Sequence, residues 1–329
     1  MFATMPADEF ALIEHYFRRD SGVAAEASVA LGIGDDCALL EVPAGKQLAV
    51  SLDTLVAGRH FPVDACAEEI AQRALRVSVS DLAAMGAEPL WVTLGLTLPE
   101  ADQDWLEGFS RGLFAAAAEL GVALVGGDTT RGPLTMSLQV HGAVNPQQAL
   151  RRDGASPGDG VYVTGSLGDG AAALALILDQ AQAGDEARQY LLERYYRPRP
   201  NLQEGLLLAG LASAAIDISD GLVADLGHIC QASGVAAQVQ VHDLPRSAAM
   251  LQVADEGQQL SWPLSGGDDY RLCFTLAPGK EERLQQLIEQ QQLMAYRIGD
   301  IVSGAGVHCF DQGRRLDITA TGYNHFSND

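Results

Sequence analysis

The stretch Ala215-Ile-Asp-Ile-Ser-Asp-Gly-Leu222 contains a short apolar strand, 215–218, that runs into an acidic glycine turn and then into a helix over 222–232. The first half of the chain repeats the arrangement, because a strand over 122–125 runs into Gly126-Gly127-Asp128. Strands and helices alternate along both halves of the sequence. This alternation predicts an α/β or α+β architecture in each half.

The chain has 329 residues. At roughly 150 residues per domain, this length predicts two domains, each large enough to bury a core of its own. A polar, charged stretch from Asn145-Pro146 to Pro157-Gly158-Asp159 is the best candidate for a linker. We therefore predict a domain boundary near residue 150.

The charge balance argues against two classes of partner. Acidic residues number 43 against 21 basic ones, giving a net charge of −22, which repels both nucleic acid and anionic lipid. The longest apolar run, 206–216, is too short to span a bilayer, and residues 1–14 lack the pattern of a signal peptide, so a cytoplasmic location is expected. The five scattered cysteines form no C-x-x-C pair, so we expect buried thiols rather than disulfides or a zinc site.

Acidic residues recur at strand ends and beside glycines. Each one alone is typical of a turn or a helix N-cap, but strand ends emerge together at one side of a sheet, so the set could converge. Converging carboxylates repel one another unless cations lie between them, and oxygen ligands favour Mg²⁺. The set comprises Asp35, Asp36, Asp53, Asp81, Asp128, Asp217, Asp220, Asp268 and Asp269.

Mg²⁺ held by a few carboxylates commonly shares the phosphates of a substrate, which indicates nucleotide chemistry. The two lysines, Lys46 and Lys280, lie outside any P-loop or protein-kinase motif. If the protein binds ATP, metal ions, backbone N–H groups and arginines such as Arg131, Arg151 and Arg152 must offset the phosphate charge. The Gly165–Gly170 turn is either an anion site at a helix N-terminus or a plain packing turn.

Six segments together resemble the bacterial thiamine-monophosphate kinases of the aminoimidazole ribonucleotide synthetase-like superfamily. They are spread over most of the chain and occur in the same order as in that family. The segments are Gly32-Ile-Gly-Asp-Asp36, Ser51-Leu-Asp53-Thr with His60-Phe61, Ser80-Asp81-Leu-Ala-Ala-Met-Gly86, Gly126-Gly-Asp128-Thr-Thr-Arg131, Ala215 to Leu222, and Ser265-Gly-Gly-Asp-Asp-Tyr270.

The resemblance implies an architecture and a set of roles. Residues 1–150 would form a mixed sheet with helices that binds ATP and Mg²⁺ and makes a homodimer, and residues 151–329 an α/β sandwich that completes the nucleotide and substrate site. The implied metal ligands are Asp36, Ser51, Leu52, Asp53, Asp81, Asp128, Asp217 and Asp220, with the main-chain carbonyl acting at Leu52, where the family usually has Thr. The implied ATP contacts are Gly127, Asp128, Arg152 and Ser219, and the implied substrate contacts are His60, Asp268 and Tyr323.

The implied reaction is transfer of the ATP γ-phosphoryl group to thiamine monophosphate, giving thiamine diphosphate. An aromatic face at Tyr323 and a carboxylate at Asp268 suit the cationic thiazolium ring. The acceptor phosphate has a second pKa of about 6 and is mostly ionised at pH 7, so no catalytic base is expected. Two alternatives remain open: another ATP-dependent member of the superfamily, such as a purine-pathway or selenophosphate-type synthetase, and a non-enzymatic binding protein stabilised by Mg²⁺.

Overall fold

The structure is a computed structural model that describes residues 9–19 and 22–316. The chain divides into two compact units, unit 1 (Met1–Leu82 and Ala87–Pro146) and unit 2 (Ala83–Gly86 and Gln147–Asp329). The division thus falls at Pro146, a few residues before the position expected from the sequence. It also assigns the short segment Ala83–Gly86 to unit 2, where the Met85 carbonyl accepts a hydrogen bond from the Leu150 N–H at 3.0 Å.

Unit 1 is a mixed sheet with helices. Its described elements are α1 (Glu9–Tyr16), a 3₁₀ turn (Ala24–Ser28), β1 (Val29–Leu31), β2 (Leu39–Leu40), β3 (Gln47–Val56), α2 (Ala67–Ala84, the last two residues lying in unit 2), β4 (Glu88–Leu98), α3 (Gln103–Leu120), β5 (Ala123–Arg131) and β6 (Thr135–Val144). The main sheet has the order β3-β6-β4-β5, while β1 and β2 form a separate pair. Only β4 and β5 run parallel, joined by α3.

The strand β5 is longer than the sequence predicts, because it continues through Gly126-Gly127-Asp128 to Arg131. Gly127 lies opposite Leu94 of β4 in the parallel ladder. A Cβ atom at Gly127 would lie 2.0 Å from the Leu94 carbonyl oxygen, so only glycine lets the two strands approach this closely. The glycines therefore extend the strand where the sequence suggests that they end it.

Unit 2 is a sheet covered on both faces. Its elements are β7 (Gly160–Val163), α4 (Asp169–Ile177), α5 (Asp185–Tyr196), α6 (Leu202–Leu208), β8 (Ala214–Asp217), α7 (Leu222–Ser233), β9 (Ala236–Gln240), a 3₁₀ turn (Val241–Asp243), α8 (Ala248–Val253), α9 (Gln258–Ser265), β10 (Leu272–Leu276), α10 (Glu281–Glu289), β11 (Tyr296–Val302), β12 (Gly306–Asp311) and β13 (Arg314–Leu316). The sheet order is β13-β12-β9-β11-β7-β10-β8.

The central strand β7 shows why unit 2 forms a sandwich. Val161 and Val163 pack into one core together with Leu226 and Ile229 of α7. Tyr162 points to the opposite core, where its ring stacks on Phe274 at a centroid distance of 5.3 Å. Alternate residues of one strand thus fill two cores, as the period of two requires. The predicted fold class, a mixed α/β protein with two domains, is confirmed.

Two helices of unit 2 are shorter than their apolar patterns predict. The Ala/Leu-rich pattern that follows Gly170 predicts a helix to about Ala181, but α4 ends at Ile177, because Asp179 adopts a left-handed conformation with φ +55°. The apolar pattern of residues 202–212 predicts a helix over that range, but α6 ends at Leu208, just before Gly210 with φ +77°. In both cases a left-handed residue stops the helix while the apolar pattern continues.

The helices and the cysteines bear on two further expectations. Across residues 9–19 and 22–316, no helix has the length and apolar character needed to cross a membrane. All five cysteines are free thiols, but the expectation that they are buried is wrong for Cys37 and Cys66, which are exposed.

Close packing of α3 against α2 gives a test of the fold of unit 1. A Cβ atom at Gly112 would lie 2.3 Å from the Glu68 carbonyl oxygen, whereas one at Gly108 would lie 3.5 Å from Ala67. We expect Gly112→Ala to lower the free energy of unfolding by about 1–3 kcal/mol through overpacking. Gly108→Ala, in the same helix, should be neutral or stabilising by up to about 1 kcal/mol. Urea unfolding followed by circular dichroism compares the two, and equal effects would contradict the packing argument.

Candidate active site

In unit 1, the acids of β3 and α2 form a first group. Ser51 and Asp53 are separated by one residue on β3 and therefore point to the same side of the strand. The Ser51 hydroxyl donates a hydrogen bond to Asp81 Oδ2 on α2. Burial and the nearby Asp81 carboxylate raise the pKa of Asp53 to about 6, while a hydrogen bond from Ser78 acts in the opposite direction. Two carboxylates are thus held close together, each with a hydroxyl group nearby.

Leu52 points away from this group. The side chains of Leu48, Val50 and Leu52 are 45%, 49% and 58% exposed, whereas the intervening residues are half-buried. The alternation shows that the Leu52 side chain lies on the opposite face of β3 from Asp53. The side chain at this position therefore has no role beside Asp53, and only the main chain of Leu52 passes between the two ligand candidates.

A second group of candidate residues in unit 1 lines a cavity of about 650 Å³. Gly127 and Asp128 of β5 line it, together with Asp35 and Asp36 of the loop after β1. Asp35 Oδ1 accepts a hydrogen bond from the Asp36 N–H at 2.8 Å, so the Asp35 carboxylate contacts the adjacent backbone of the loop. The structure thus brings Asp36, Gly127 and Asp128 to one cavity although they lie about 90 residues apart in the sequence.

His60 follows the end of β3 and is fixed by its neighbours. Its Nδ1 accepts a hydrogen bond from the Val56 N–H at 3.0 Å, and its carbonyl oxygen accepts one from Arg73 Nε at 3.1 Å. A neutral imidazole that accepts at Nδ1 carries its proton at Nε2. His60 is thus set up to donate a hydrogen bond from Nε2.

In unit 2, the segment after β8 brings together candidates from distant parts of the sequence. Asp217 ends β8, is buried and pairs with Leu272 of β10. The ladder continues beyond the strands, because the Asp268 N–H donates to the Ser219 carbonyl oxygen at 2.9 Å. Asp217, Ser219, Asp220 and Asp268 are therefore neighbours at one edge of the sheet.

Asp225 holds this segment in place. Its Oδ2 accepts hydrogen bonds from the N–H groups of Ser219, Asp220 and Gly221 at 3.0–3.1 Å. Burial and the Asp220 carboxylate raise the pKa of Asp225 to about 7, against the opposing effect of the three N–H groups. Asp225 is not among the residues expected from the sequence, because it lies within the predicted helix rather than in the acidic glycine turn before it.

The Gly165–Gly170 turn proves to be a packing turn. The N–H groups of Gly168 and Gly170 donate to the two carboxylate oxygens of Asp269 at 2.8 and 3.2 Å. Asp269 is buried, and burial together with the Asp169 carboxylate raises its pKa to about 7. An internal carboxylate therefore takes the place that an external anion would have at the start of α4.

The remaining candidates are less constrained. Arg152 lies in an exposed segment, where its carbonyl oxygen accepts a hydrogen bond from the Ser233 hydroxyl at 3.1 Å. Arg151 pairs with Asp153 at 2.7 Å, and Arg131 donates to the Pro99 carbonyl at 3.2 Å, so both have partners within the chain. Tyr323 lies outside the described residues.

The donor set suits a hard cation only in part. Across the described ranges, 9–19 and 22–316, no three His, Cys, Asp or Glu side chains are grouped as a metal site. The carboxylates instead occur in pairs, such as Asp53 with Asp81. Mg²⁺ is commonly bound by one or two carboxylates plus waters and substrate phosphates, so paired oxygen donors fit this ion better than a site made entirely of protein ligands.

Comparison with known proteins places the chain in a family. Residues 34–144 match the AIR synthase related protein N-terminal domain, and residues 156–312 match the corresponding C-terminal domain. A thiamine-monophosphate kinase of Salmonella typhimurium is 48% identical over 325 residues, covering 98% of this chain and 99% of the relative. The chain belongs to the thiamine-monophosphate kinase family.

Solved structures agree with this assignment. The thiamine-monophosphate kinase of Stenotrophomonas maltophilia K279a has a TM-score of 0.82 and 46% identity, covering 88% of this chain and 92% of that one. AaThiL, solved in complex with AMPPCP and TMP, has a TM-score of 0.76 and 31% identity, covering 89% and 92%. The resemblance inferred from the sequence motifs is confirmed.

Asp269 gives a test of the packing of unit 2. Asp269→Asn replaces one acceptor oxygen with an NH₂ group that faces a buried N–H group, so we expect the free energy of unfolding to fall by about 1–3 kcal/mol. Asp300→Asn is the matched control, because Asp300 pairs with Arg297 at a half-exposed position and should cost at most about 1 kcal/mol. Urea unfolding measures both variants, and similar losses would contradict a structural role for Asp269.

Proposed function

We propose that this chain transfers the γ-phosphoryl group of ATP to thiamine monophosphate, giving thiamine diphosphate and ADP. The observation that carries the proposal is the full-length similarity to thiamine-monophosphate kinases, at 48% identity for the Salmonella typhimurium enzyme. The complex of AaThiL with AMPPCP and TMP supports it, since the two ligands correspond to the two proposed substrates.

The proposed contacts are those that the resemblance to the family implies. For ATP they are Gly127, Asp128, Arg152 and Ser219. Thiamine monophosphate would contact His60, Asp268 and Tyr323, and the hydrogen-bond pattern of His60 favours donation from Nε2 to a phosphate oxygen. Asp268 supplies a carboxylate for the cationic thiazolium ring.

Mg²⁺ would be held by carboxylate, hydroxyl and main-chain oxygens. In this proposal the ligands are Asp36, Ser51, the main chain of Leu52, Asp53, Asp81, Asp128, Asp217 and Asp220. When bound, the ions would neutralise phosphate charge and polarise phosphoryl oxygens. The raised pKa of Asp53 supports this role, because a cation beside Asp53 and Asp81 would relieve the repulsion between them.

The transfer needs orientation more than acid–base catalysis. An oxygen of the acceptor phosphate would attack the γ-phosphorus in line, and the bond to the β–γ bridging oxygen would break to release ADP. The acceptor oxygen is already ionised at pH 7, since its second pKa is about 6. The chain would therefore act by positioning two anions and offsetting their charge.

Homodimerisation and a cytoplasmic location also belong to this proposal. The exposed apolar side chains of Leu48, Val50 and Leu52 form one face of β3, and a second copy of the chain would cover them. The net charge of −22 supports function without nucleic acid or membrane partners.

The first test is chromatographic detection of thiamine diphosphate after incubation of the protein with ATP, Mg²⁺ and thiamine monophosphate. We expect product only when both the monophosphate and Mg²⁺ are present, and none from thiamine. Absence of product would refute the kinase proposal. If the melting temperature still rose with ATP plus Mg²⁺, a related ATP-dependent enzyme with another acceptor would be favoured. A rise with Mg²⁺ alone would favour a non-enzymatic binding protein.

The same assay tests the metal ligands. Asp53→Asn preserves the shape of the side chain but removes its charge, so turnover at limiting Mg²⁺ should fall at least about tenfold. Asp104→Asn, in the first turn of α3, removes an acid of the same unit outside the proposed site and should leave turnover unchanged. Near-wild-type turnover of Asp53→Asn at limiting Mg²⁺ would exclude Asp53 as a ligand.

The dimer is tested at Val50. Val50→Lys places a charge on the apolar face of β3, and a buried unpaired charge would disrupt an interface there. We expect light scattering coupled to gel filtration to give the dimer mass for the wild type and the monomer mass for the variant. Met294→Lys, at an apolar side chain 59% exposed in unit 2, is the control and should remain dimeric. If the Val50→Lys protein remained dimeric, the interface would not lie on this face of β3.

A further inference from the structure

The turn Asp268–Tyr270 has an unusual backbone. Asp268 and Tyr270 adopt left-handed conformations with φ +67° and +48°, although neither is glycine. This conformation is strained for a bulky residue such as tyrosine, and strained residues persist only where the surrounding structure fixes them. Such strain is concentrated at functional sites. Reversal of the chain direction alone does not account for two left-handed residues that are not glycine.

The turn is fixed from two sides. On one side, the N–H groups of Asp268 and Tyr270 donate to the carbonyl oxygens of Ser219 and Ile218 at 2.9 and 2.8 Å. On the other side, the buried Asp269 carboxylate accepts the N–H groups of Gly168 and Gly170. Asn201 Nδ2 also donates to the Tyr270 carbonyl oxygen at 2.9 Å. The backbone of the turn is thus held by groups other than the Tyr270 hydroxyl.

The Tyr270 hydroxyl has a separate contact. It donates a hydrogen bond to Asp268 Oδ1 at 2.9 Å, between side chains only two residues apart. With left-handed conformations at 268 and 270, the side chains of Asp268 and Tyr270 lie within hydrogen-bond distance of each other. The hydroxyl thus fixes the orientation of a carboxylate whose backbone is already fixed.

We infer that Tyr270 is a positioning residue that orients the Asp268 carboxylate toward the cationic ring of thiamine monophosphate and thereby sets the affinity for that cation. The inference rests on the proposed role of Asp268 as a substrate contact. A carboxylate held in place loses less side-chain freedom when it meets the cation than a mobile one does, so the hydroxyl strengthens binding without touching the substrate.

The test is Tyr270→Phe, which removes only the hydroxyl and preserves ring size and backbone preference. We expect KM for thiamine monophosphate to rise about three- to tenfold, as for the loss of one hydrogen bond, with kcat and KM for ATP changed less than about twofold. Asp268→Asn should raise the same KM about tenfold or more, because it removes the charge itself. In the Asp268→Asn background, Tyr270→Phe should add nothing.

Tyr190→Phe is the matched control. The Tyr190 hydroxyl donates to Asp169 Oδ2 at 3.0 Å in the same unit, so this variant also loses a tyrosine–aspartate hydrogen bond, but one that does not involve the Asp268 carboxylate. Its KM for thiamine monophosphate should equal that of the wild type. A pair of inhibitors adds a second readout: Tyr270→Phe should weaken binding of an N-methylthiazolium phosphate but leave that of the neutral thiazole phosphate unchanged.

The outcomes separate the inference from the proposed function. If Asp268→Asn raises KM and Tyr270→Phe does not, the positioning role is wrong while the substrate contact stands. If Asp268→Asn leaves KM unchanged, the proposed role of Asp268 fails and the inference fails with it. If Tyr270→Phe lowers kcat and raises both KM values together, or if Tyr190→Phe matches its effect, the hydroxyl serves the fold and the inference is overturned.

Discussion

The constraint on which much of this structure depends is the cost of placing carboxylates away from water in a chain of net charge −22. In unit 2, hydrogen bonds from backbone N–H groups offset part of that cost. Asp225 accepts three N–H groups at the start of α7, and Asp269 accepts two at the start of α4. Both helix N-termini are therefore already occupied by an internal carboxyl group, and Asp269 also joins two segments that lie about 100 residues apart in the sequence.

The acids of unit 1 have a different environment. Burial and the nearby Asp81 carboxylate disfavour the ionisation of Asp53, and hydroxyl groups of Ser51 and Ser78 lie beside the two acids. Two carboxylates held side by side cost stability at neutral pH unless a cation lies between them. Acids that pair with backbone N–H groups thus serve the fold, and acids that pair with each other suit a ligand. This distinction separates Asp225 and Asp269 from Asp53 and Asp81 more sharply than their sequence contexts do.

Much of this arrangement follows from simple periodicities. The period of two along β3 predicts that Ser51 and Asp53 share a face, and the same period places Leu52 with Leu48 and Val50 on the other face. The ends of α3 could be predicted because Asp102 caps its N-terminus and Gly121 its C-terminus. Local patterns of this kind located most helices and strands, and the motif order identified the family.

Other features could not be read from local patterns because they depend on tertiary contacts. The glycines of β5 resemble a turn in the sequence, yet they belong to a strand because Leu94 of β4 approaches too closely for any side chain. Gly168 and Gly170 resemble an anion-binding loop, and only the fold shows that Asp269, about 100 residues later, occupies it. Asp225 lies in an ordinary helical pattern, and nothing nearby in the sequence indicates that it holds Ser219 and Asp220.

The proposed reaction would need no catalytic base among the residues of this chain. Both proposed substrates are anions, and the attacking oxygen of the acceptor phosphate is ionised near neutral pH, so the difficulty would lie in bringing negative charges together rather than in removing a proton. Side chains that hold cations and fix geometry are then the useful ones. The strained turn at Asp268–Tyr270 fits this demand, because a rigid carboxylate can meet the positive end of an otherwise anionic acceptor while the phosphate remains at the reacting end.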